Sequence, residues 1–319
     1  LIPRKNHITA KESNLSLIFP FKIPLTHYIN ISLCSIQITK EEKMSMHGKF
    51  VLITGATSGI GKETALGLAK MGATVVFTSR DAQQGEQTRQ HLIEVSKNPN
   101  IDMLYCDLAS FASIRECCRE FLKKYPALHV LINNAGIVDY HRRESKDGIE
   151  NMFAANYLAP FLMTNLLLDI LKKSAPARII NLTSGLHSGT IHFDDLEFRQ
   201  GFSGMKVYGH SKLAIIIFTR LLAENLKGTG VTANCVNPGM SSTNLGRDAG
   251  WFSARFFKFF GKKPSIAAQT PIYLASASEV KTITGEYFEK KSVKKINSET
   301  YDMDVARKLW EISKKYVGL

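Results

Sequence analysis

The sequence predicts an α/β fold, a single doubly wound domain with a seven-stranded parallel sheet, and three observations carry that expectation. From Lys49 onward short β-rich runs alternate with helical stretches, the pattern of a parallel sheet covered on both faces. The helical stretches are long enough for right-handed crossovers. No internal repeat and no Pro/Gly linker divides the alternating region, so residues 44–319 read as one domain, although a length of 319 residues alone would allow two.

Taken in order, the apolar runs are Phe50–Thr54, Thr74–Thr78, Ile101–Tyr105, Val130–Asn133, Arg178–Leu182 and Val231–Val236. A last short run, Gly285–Phe288, closes the sheet. The first helix opens with Lys62-Glu63-Thr64-Ala65, and Asp81 is placed to cap the helix after the second strand. The final helix, Asp304 to Val317, repeats Val305, Leu309, Ile312 and Tyr316 as a core-facing stripe, with Asp302 or Asp304 as its cap. Trp251 to Lys263 reads as an amphipathic helix with Phe252, Phe256, Phe259 and Phe260 on one stripe and Arg255, Lys258 and Lys262 on another.

Residues 1–43 differ from all that follows. Pro20, Lys22, Pro24 and His27 interrupt every window between Asn14 and Ile38 that could span a membrane, and no small-residue cleavage site follows a compact apolar core. The expectation is a disordered extension, or sequence upstream of the native start, with Met44 and Met46 just before the first strand.

At 44% hydrophobic and 22% charged residues the chain can bury a full core, which excludes wholesale disorder and fibrous classes. A net charge of +13 suits nucleic acid, anionic lipid or a phosphorylated cofactor, and the sum alone does not choose among them. No helix-turn-helix, zinc or stacking motif argues for nucleic acid. The cysteines are Cys34, Cys106, Cys117, Cys118 and Cys235, an odd set without C-x-x-C. They point to buried thiols in a reducing compartment, hence the cytoplasm, rather than to disulfides or zinc. The histidines at 141, 187, 192 and 210 lack ligand spacing, so no metal site is expected.

The first strand runs straight into Thr54-Gly55-Ala56-Thr57-Ser58-Gly59-Ile60-Gly61 and a helix follows. Glycines there let the backbone turn tightly and approach a pyrophosphate, which free amides at the helix N-terminus meet.

The spacing T-G-x-x-x-G-x-G resembles the short-chain dehydrogenase/reductase family, and the family's later motifs follow in order. Asp107-Leu108 follows the third strand, and Asn133-Asn134-Ala135-Gly136 ends the fourth. Asn156 lies in the next long helix, and Asn181-Leu182-Thr183-Ser184 ends the fifth strand. Tyr208-Gly209-His210-Ser211-Lys212 supplies Y-x-x-x-K, and Asn237-Pro238-Gly239 through Thr243 follows the sixth strand. The resemblance spans about Lys49 to Ala277.

It implies a Rossmann-type, nicotinamide-dinucleotide-binding domain. Gly55, Thr57, Ser58, Gly59, Ile60 and Gly61 would take the diphosphate, Asp107 and Leu108 the adenine, and Pro238, Gly239 and Thr243 the nicotinamide end. Asn134, Ala135 and Gly136 complete the cofactor site, which Tyr208 and Lys212 also touch. The implied catalytic residues are Asn156, Ser184, Tyr208 and Lys212. By resemblance Lys212 holds the nicotinamide ribose, Ser184 bonds the substrate oxygen, and Asn156 orders a water that links Lys212 to solvent.

The residues themselves support that chemistry. Tyr208 and Lys212, four apart, lie on one helix face. A free phenol titrates at about 10. A neighbouring ammonium, with the charge of an oxidised nicotinamide, would stabilise phenolate and fit Tyr208 for proton transfer. At the end of the second strand an acidic residue would repel the 2′-phosphate of NADP. Ser79 stands there instead, followed by Arg80, whose guanidinium can grip a phosphate bidentately. NADP(H) is therefore the expected cofactor.

Between Ser184 and Tyr208 lies an insertion, Gly185–Val207, longer than compact family members show. Its Leu186-His187-Ser188 and Ile191–Leu196 segments, and the ending Ala306-Arg307-Lys308-Leu309-Trp310, are similar to the retinol dehydrogenase-like subgroup. Ser241 departs from it, standing where many relatives carry an apolar residue. The Trp251–Lys263 helix falls where the family places its substrate cover and reads as an apolar lid, a membrane-surface helix or core packing. The implied activity is NADP(H)-dependent interconversion of an alcohol with an aldehyde or ketone, on a lipophilic, retinal-like small molecule. A steroid, quinone or tetrapyrrole-precursor reductase and a non-catalytic NADP-binding sensor or scaffold are the alternatives. Peripheral membrane contact and homo-oligomerisation stay open.

Overall fold

The computed structural model describes residues 45–187, 189–239, 263–296 and 298–319. These form an α/β domain around one sheet. Its strands are β1 (Phe50–Ile53), β2 (Thr74–Ser79), β3 (Ile101–Tyr105), β4 (Val130–Asn133), β5 (Ala177–Leu182), β6 (Val231–Asn237), β7 (Tyr287–Glu289) and β8 (Ser292–Val293). Their order is β3-β2-β1-β4-β5-β6-β7-β8. The seven expected parallel strands are present, and β8 adds a two-residue antiparallel edge. The seventh strand starts later than the run Gly285–Phe288 suggested. Gly285 sits at φ +78° and gives its amide to the Ala233 carbonyl at 2.7 Å, so the chain is still turning there.

The helices are α1 (Gly59–Lys70), α2 (Ala82–Ser96), α3 (Phe111–Lys124), α4 (Asn151–Phe153), α5 (Ala159–Leu166), α6 (Leu168–Lys173), α7 (Gly204–Asn225), α8 (Pro264–Ala267), α9 (Gln269–Ser276) and α10 (Met303–Val317). A π-helical turn, Ala154–Leu158, joins α4 to α5. Asp81 caps α2 by accepting the Gln84 amide at 2.9 Å.

Strand alternation splits the core into two layers. Leu52, Val76, Leu131 and Ile179 point to one face, where α3, α5, α7 and α10 pack. Val51, Ile53, Val75, Phe77, Ile132 and Ile180 point to the other, under α1 and α9. On α10 the cap is Asp302, accepting the amides of Asp304 and Val305 at 2.9 and 3.1 Å. The fully buried stripe is Ala306, Leu309, Ser313 and Val317, with Val305, Ile312 and Tyr316 only flanking it. Small Ala306 and Ser313 let the helix come close, and Ser313 Oγ meets the buried Tyr157 hydroxyl at 2.7 Å.

Among the described residues no helix is long and apolar enough to cross a membrane. The region 1–43, the Trp251–Lys262 stretch of the amphipathic helix, Ser241 and Thr243 lie outside the described residues.

Candidate active site

The strand order reverses between β1 and β4, where connections leave to opposite sides and open a crevice at the carboxyl ends. Every described candidate residue sits at or near those ends. The glycine loop leaves β1 into α1. Gly55 has φ +67°, and a Cβ there would sit 2.9 Å from Ala135 Cα. At Gly61 a Cβ would be 2.4 Å from both Asn134 Nδ2 and the Gly55 carbonyl, so the helix can press onto the loop only with glycine. Ser58 precedes α1 without a side-chain cap, and no acidic residue stands in the first turn. The start of this helix thus keeps its positive end open to an anion.

Asn134 ties this loop to β4. Its Nδ2 donates to the carbonyls of Thr54 and Gly55 at 2.8 and 3.0 Å. Thr54 Oγ1 accepts the Asn134 and Ala135 amides at 3.0 and 3.1 Å. Thr54 opens the glycine motif in the sequence, and only the fold shows that its hydroxyl links two strand ends.

At the end of β2, Ser79 is buried and donates to the Asp81 carbonyl at 2.7 Å, which leaves Arg80 exposed at the strand end. Asp107 accepts the Ala109 amide at 3.1 Å and pairs with Lys146 at 2.9 Å. Partial burial works to raise its carboxyl, but Lys146, that amide and the charge of Arg80 prevail and lower it. Leu108 is half-buried against the core. Pro238 and Gly239 follow β6, where the Gly239 amide donates to Asn237 Oδ1 at 2.9 Å.

Tyr208 and Lys212 lie on α7, 6% and 3% exposed. The Ser184 hydroxyl lies near enough to the Tyr208 phenol to act on its titration, and it accepts the Leu186 amide at 3.1 Å. Lys212 Nζ lies 5.6 Å from the centre of the Tyr208 ring and donates to the Leu182 carbonyl at 3.2 Å. Gly136 passes so near that a Cβ there would be 3.2 Å from Lys212 Nζ and 3.6 Å from Asn156 Oδ1. The four candidate catalytic residues therefore converge.

Two details add to this arrangement. Burial raises the Tyr208 phenol, and Ser184 acts the other way without cancelling it. Lys212 is itself fully enclosed and pushed down to about 8 by burial. The polypeptide's own groups thus favour the neutral phenol. Asn156 lies in the π-helical turn, a feature that recurs at functional sites. Its Oδ1 accepts the Ile137 amide at 2.8 Å, and its Nδ2 donates to the Ile137 carbonyl at 3.0 Å and Ser211 Oγ at 3.1 Å. Its side chain is engaged in holding the loop after β4.

A parallel sheet that reverses beside a glycine loop, with Ser, Tyr and Lys meeting at the reversal, defines a dinucleotide-dependent oxidoreductase. A family model described as short chain dehydrogenase matches residues 49–250, and the chain belongs to that family. It is 41% identical over 287 residues to retinol dehydrogenase 13 of Mus musculus, covering 87% of this chain and 86% of that protein. Against retinol dehydrogenase 14 of Homo sapiens it is 44% identical over 295 residues, 86% and 88% of the two chains. Among solved structures, an uncharacterised protein of Mycobacterium paratuberculosis matches with a TM-score of 0.70 and 29% identity, over 86% of this chain and 95% of the other. Pseudomonas aeruginosa RhlG in an NADP active-site complex matches with a TM-score of 0.63 and 28% identity, over 77% and 96%.

Proposed function

We propose that the protein is an NADP(H)-dependent oxidoreductase interconverting an alcohol with an aldehyde or ketone, on an extended apolar substrate of the retinal type. One observation carries this reading: Tyr208 and Lys212 lie one helical turn apart, with Lys212 Nζ 5.6 Å from the centre of the phenol ring and close against Gly136, which follows β4 and also adjoins Asn156. The names of the retinol dehydrogenases support the substrate class, and the NADP complex of a structural relative supports the cofactor.

The residues present fit a nicotinamide dinucleotide. The tight approach at Gly61 and the uncapped start of α1 suit the diphosphate for Gly55, Thr57, Ser58, Gly59, Ile60 and Gly61 to hold. Asp107 and Leu108 would take the adenine, Asn134, Ala135 and Gly136 the middle of the cofactor, and Pro238 and Gly239 the nicotinamide end. Exposed Arg80 would grip a 2′-phosphate beside Ser79. When bound, the cofactor supplies the hydride.

Tyr208 moves the proton. In reduction its phenolic oxygen gives a proton to the carbonyl oxygen, and in oxidation it takes one from the alcohol. Burial, which raises the phenol, suits it to the donor role. Ser184, which acts on the Tyr208 phenol, orients the substrate oxygen. Lys212 supplies the positive charge that the phenolate needs after proton release. Asn156 holds the Ile137 loop and so fixes the floor on which these groups meet.

The test is Tyr208→Phe, followed by absorbance of the reduced nicotinamide. NADPH binding should persist while turnover of an aldehyde falls at least about a hundredfold. Near-full turnover would remove Tyr208 from the mechanism.

A further inference from the structure

Residues 189–203 of the insertion form no helix or strand, yet their course is firmly set. Asp195 accepts the amides of Arg199 and Gln200 at 2.9 and 3.0 Å, and the Phe198 amide donates to the Asp195 carbonyl at 3.2 Å. This turn holds Phe198 at φ +47°, a costly region for an aromatic residue. In return its ring enters the apolar cluster of Val138, Met152, Val207 and Tyr208. The segment is thus a wall beside the proton-transferring tyrosine.

His210 meets this wall from α7, two residues beyond Tyr208, and is 2% exposed. Its Nε2 accepts the His192 amide at 3.2 Å. The imidazole stacks on the His192 ring at 5.7 Å and receives the Phe198 ring at 5.0 Å in an edge-on arrangement. Among the described residues its buried Nδ1 has no hydrogen-bond partner. A neutral imidazole that accepts at Nε2 must carry its proton on Nδ1. The ring therefore buries an unpaired N–H in order to offer one acceptor. An apolar side chain would fill the same space without that cost, so what histidine adds here is the bond to His192. Burial, reinforced by His192 and Lys206, pushes the imidazole down to about 4 and keeps it a neutral acceptor near neutral pH.

We propose that His210 is a positioning residue that latches segment 189–203 to the catalytic helix and so shapes the pocket wall that an extended apolar carbonyl substrate lies against. This rests on the reading of Tyr208 as the proton donor. A short aldehyde, needing only Ser184 and Tyr208, does not reach the wall and should be indifferent to the latch.

The experiment compares the full chain with His210→Leu, which removes the acceptor, and His210→Gln, whose amide oxygen can replace Nε2. Hydrogen exchange is followed across residues 189–203, and KM and kcat are measured with NADPH for decanal and propanal. In His210→Leu the His192 amide should exchange at least about fivefold faster, the equivalent of one lost hydrogen bond. KM for decanal should rise by about the same factor, with kcat and the propanal KM moving less than about twofold. His210→Gln should restore most of both. Unchanged exchange in His210→Leu, or a parallel rise in KM for both aldehydes, would overturn the latch. If the unaltered protein reduces neither aldehyde, the reading of Tyr208 fails, and the exchange measurement alone then decides for or against the latch.

Discussion

At Lys212 the same burial that serves the site also limits it. The ammonium is enclosed, its Nζ reaches the Leu182 carbonyl at 3.2 Å, and its pKa is pushed down to about 8 from an ordinary 10.5. The cation is present below about 8 and is lost as pH climbs through that value. A phenolate that relies on this charge loses it in the same interval, so kcat/KM for alcohol oxidation should fall above pH 8 with the loss of one proton. Stability should run the other way. Between about 8 and 10.5 the unfolded chain binds more protons at this lysine, so its contribution to folding improves as pH rises. A kcat/KM profile that stays flat from pH 7 to 10 would remove the cationic role of Lys212. Arg80 makes a separate case. It is exposed, and its charge already lowers the Asp107 carboxyl. Arg80→Asp replaces a phosphate grip with a repelling carboxylate, so the ratio of NADPH to NADH efficiency should drop at least about tenfold. Steady-state kinetics with both cofactors would show it, and an unchanged ratio would count against the NADP reading.

Elements were legible in the sequence to the extent that they repeat or sit next to one another. Strands buried on both faces announced themselves as apolar runs, and the glycine loop, Asp107-Leu108, Asn133–Gly136, Ser184 and Asn237-Pro238-Gly239 fell at strand ends because the sheet places its crossovers there. Tyr208 and Lys212 could be paired by helix geometry alone. What stayed hidden depends on partners distant in the chain. The π-helical turn at Ala154–Leu158 has no composition of its own, and it is seen only with Asn156 bonded to Ile137 and Ser211. The buried stripe of α10 includes Ser313 because the Tyr157 hydroxyl awaits it, which no apolar period announces. His210 reads as ordinary in the sequence because its partner is the His192 amide, on a residue whose carbonyl is held by the Asp195 amide at 3.1 Å. The raised Tyr208 phenol was also out of reach, since four-residue spacing shows that two side chains share a face but not how much water both lose.

For the molecule as a whole, the same sandwich that positions the site bears on how much chain folding needs. Met46 is 4% exposed, packs in the layer under α1, and bonds its amide to the Met71 carbonyl at 2.8 Å. Both core layers and all described site residues lie beyond it, within the unit that begins at Lys43. The far end is tied in as well: Arg115 donates to the Val317 carbonyl at 2.6 Å, and Trp310 packs edge-on against Phe161 at 5.1 Å. A chain starting at Met44 therefore retains every described element that buries the sheet, and it should unfold in one cooperative transition. Its NADPH affinity should stay within about twofold of the full chain, since that shift is a few tenths of a kcal/mol. Calorimetry and NADPH fluorescence titration on both proteins check this. Loss of NADPH binding, or a second unfolding transition, would mean that residues 1–43 contribute to the folded unit in a way its core does not require.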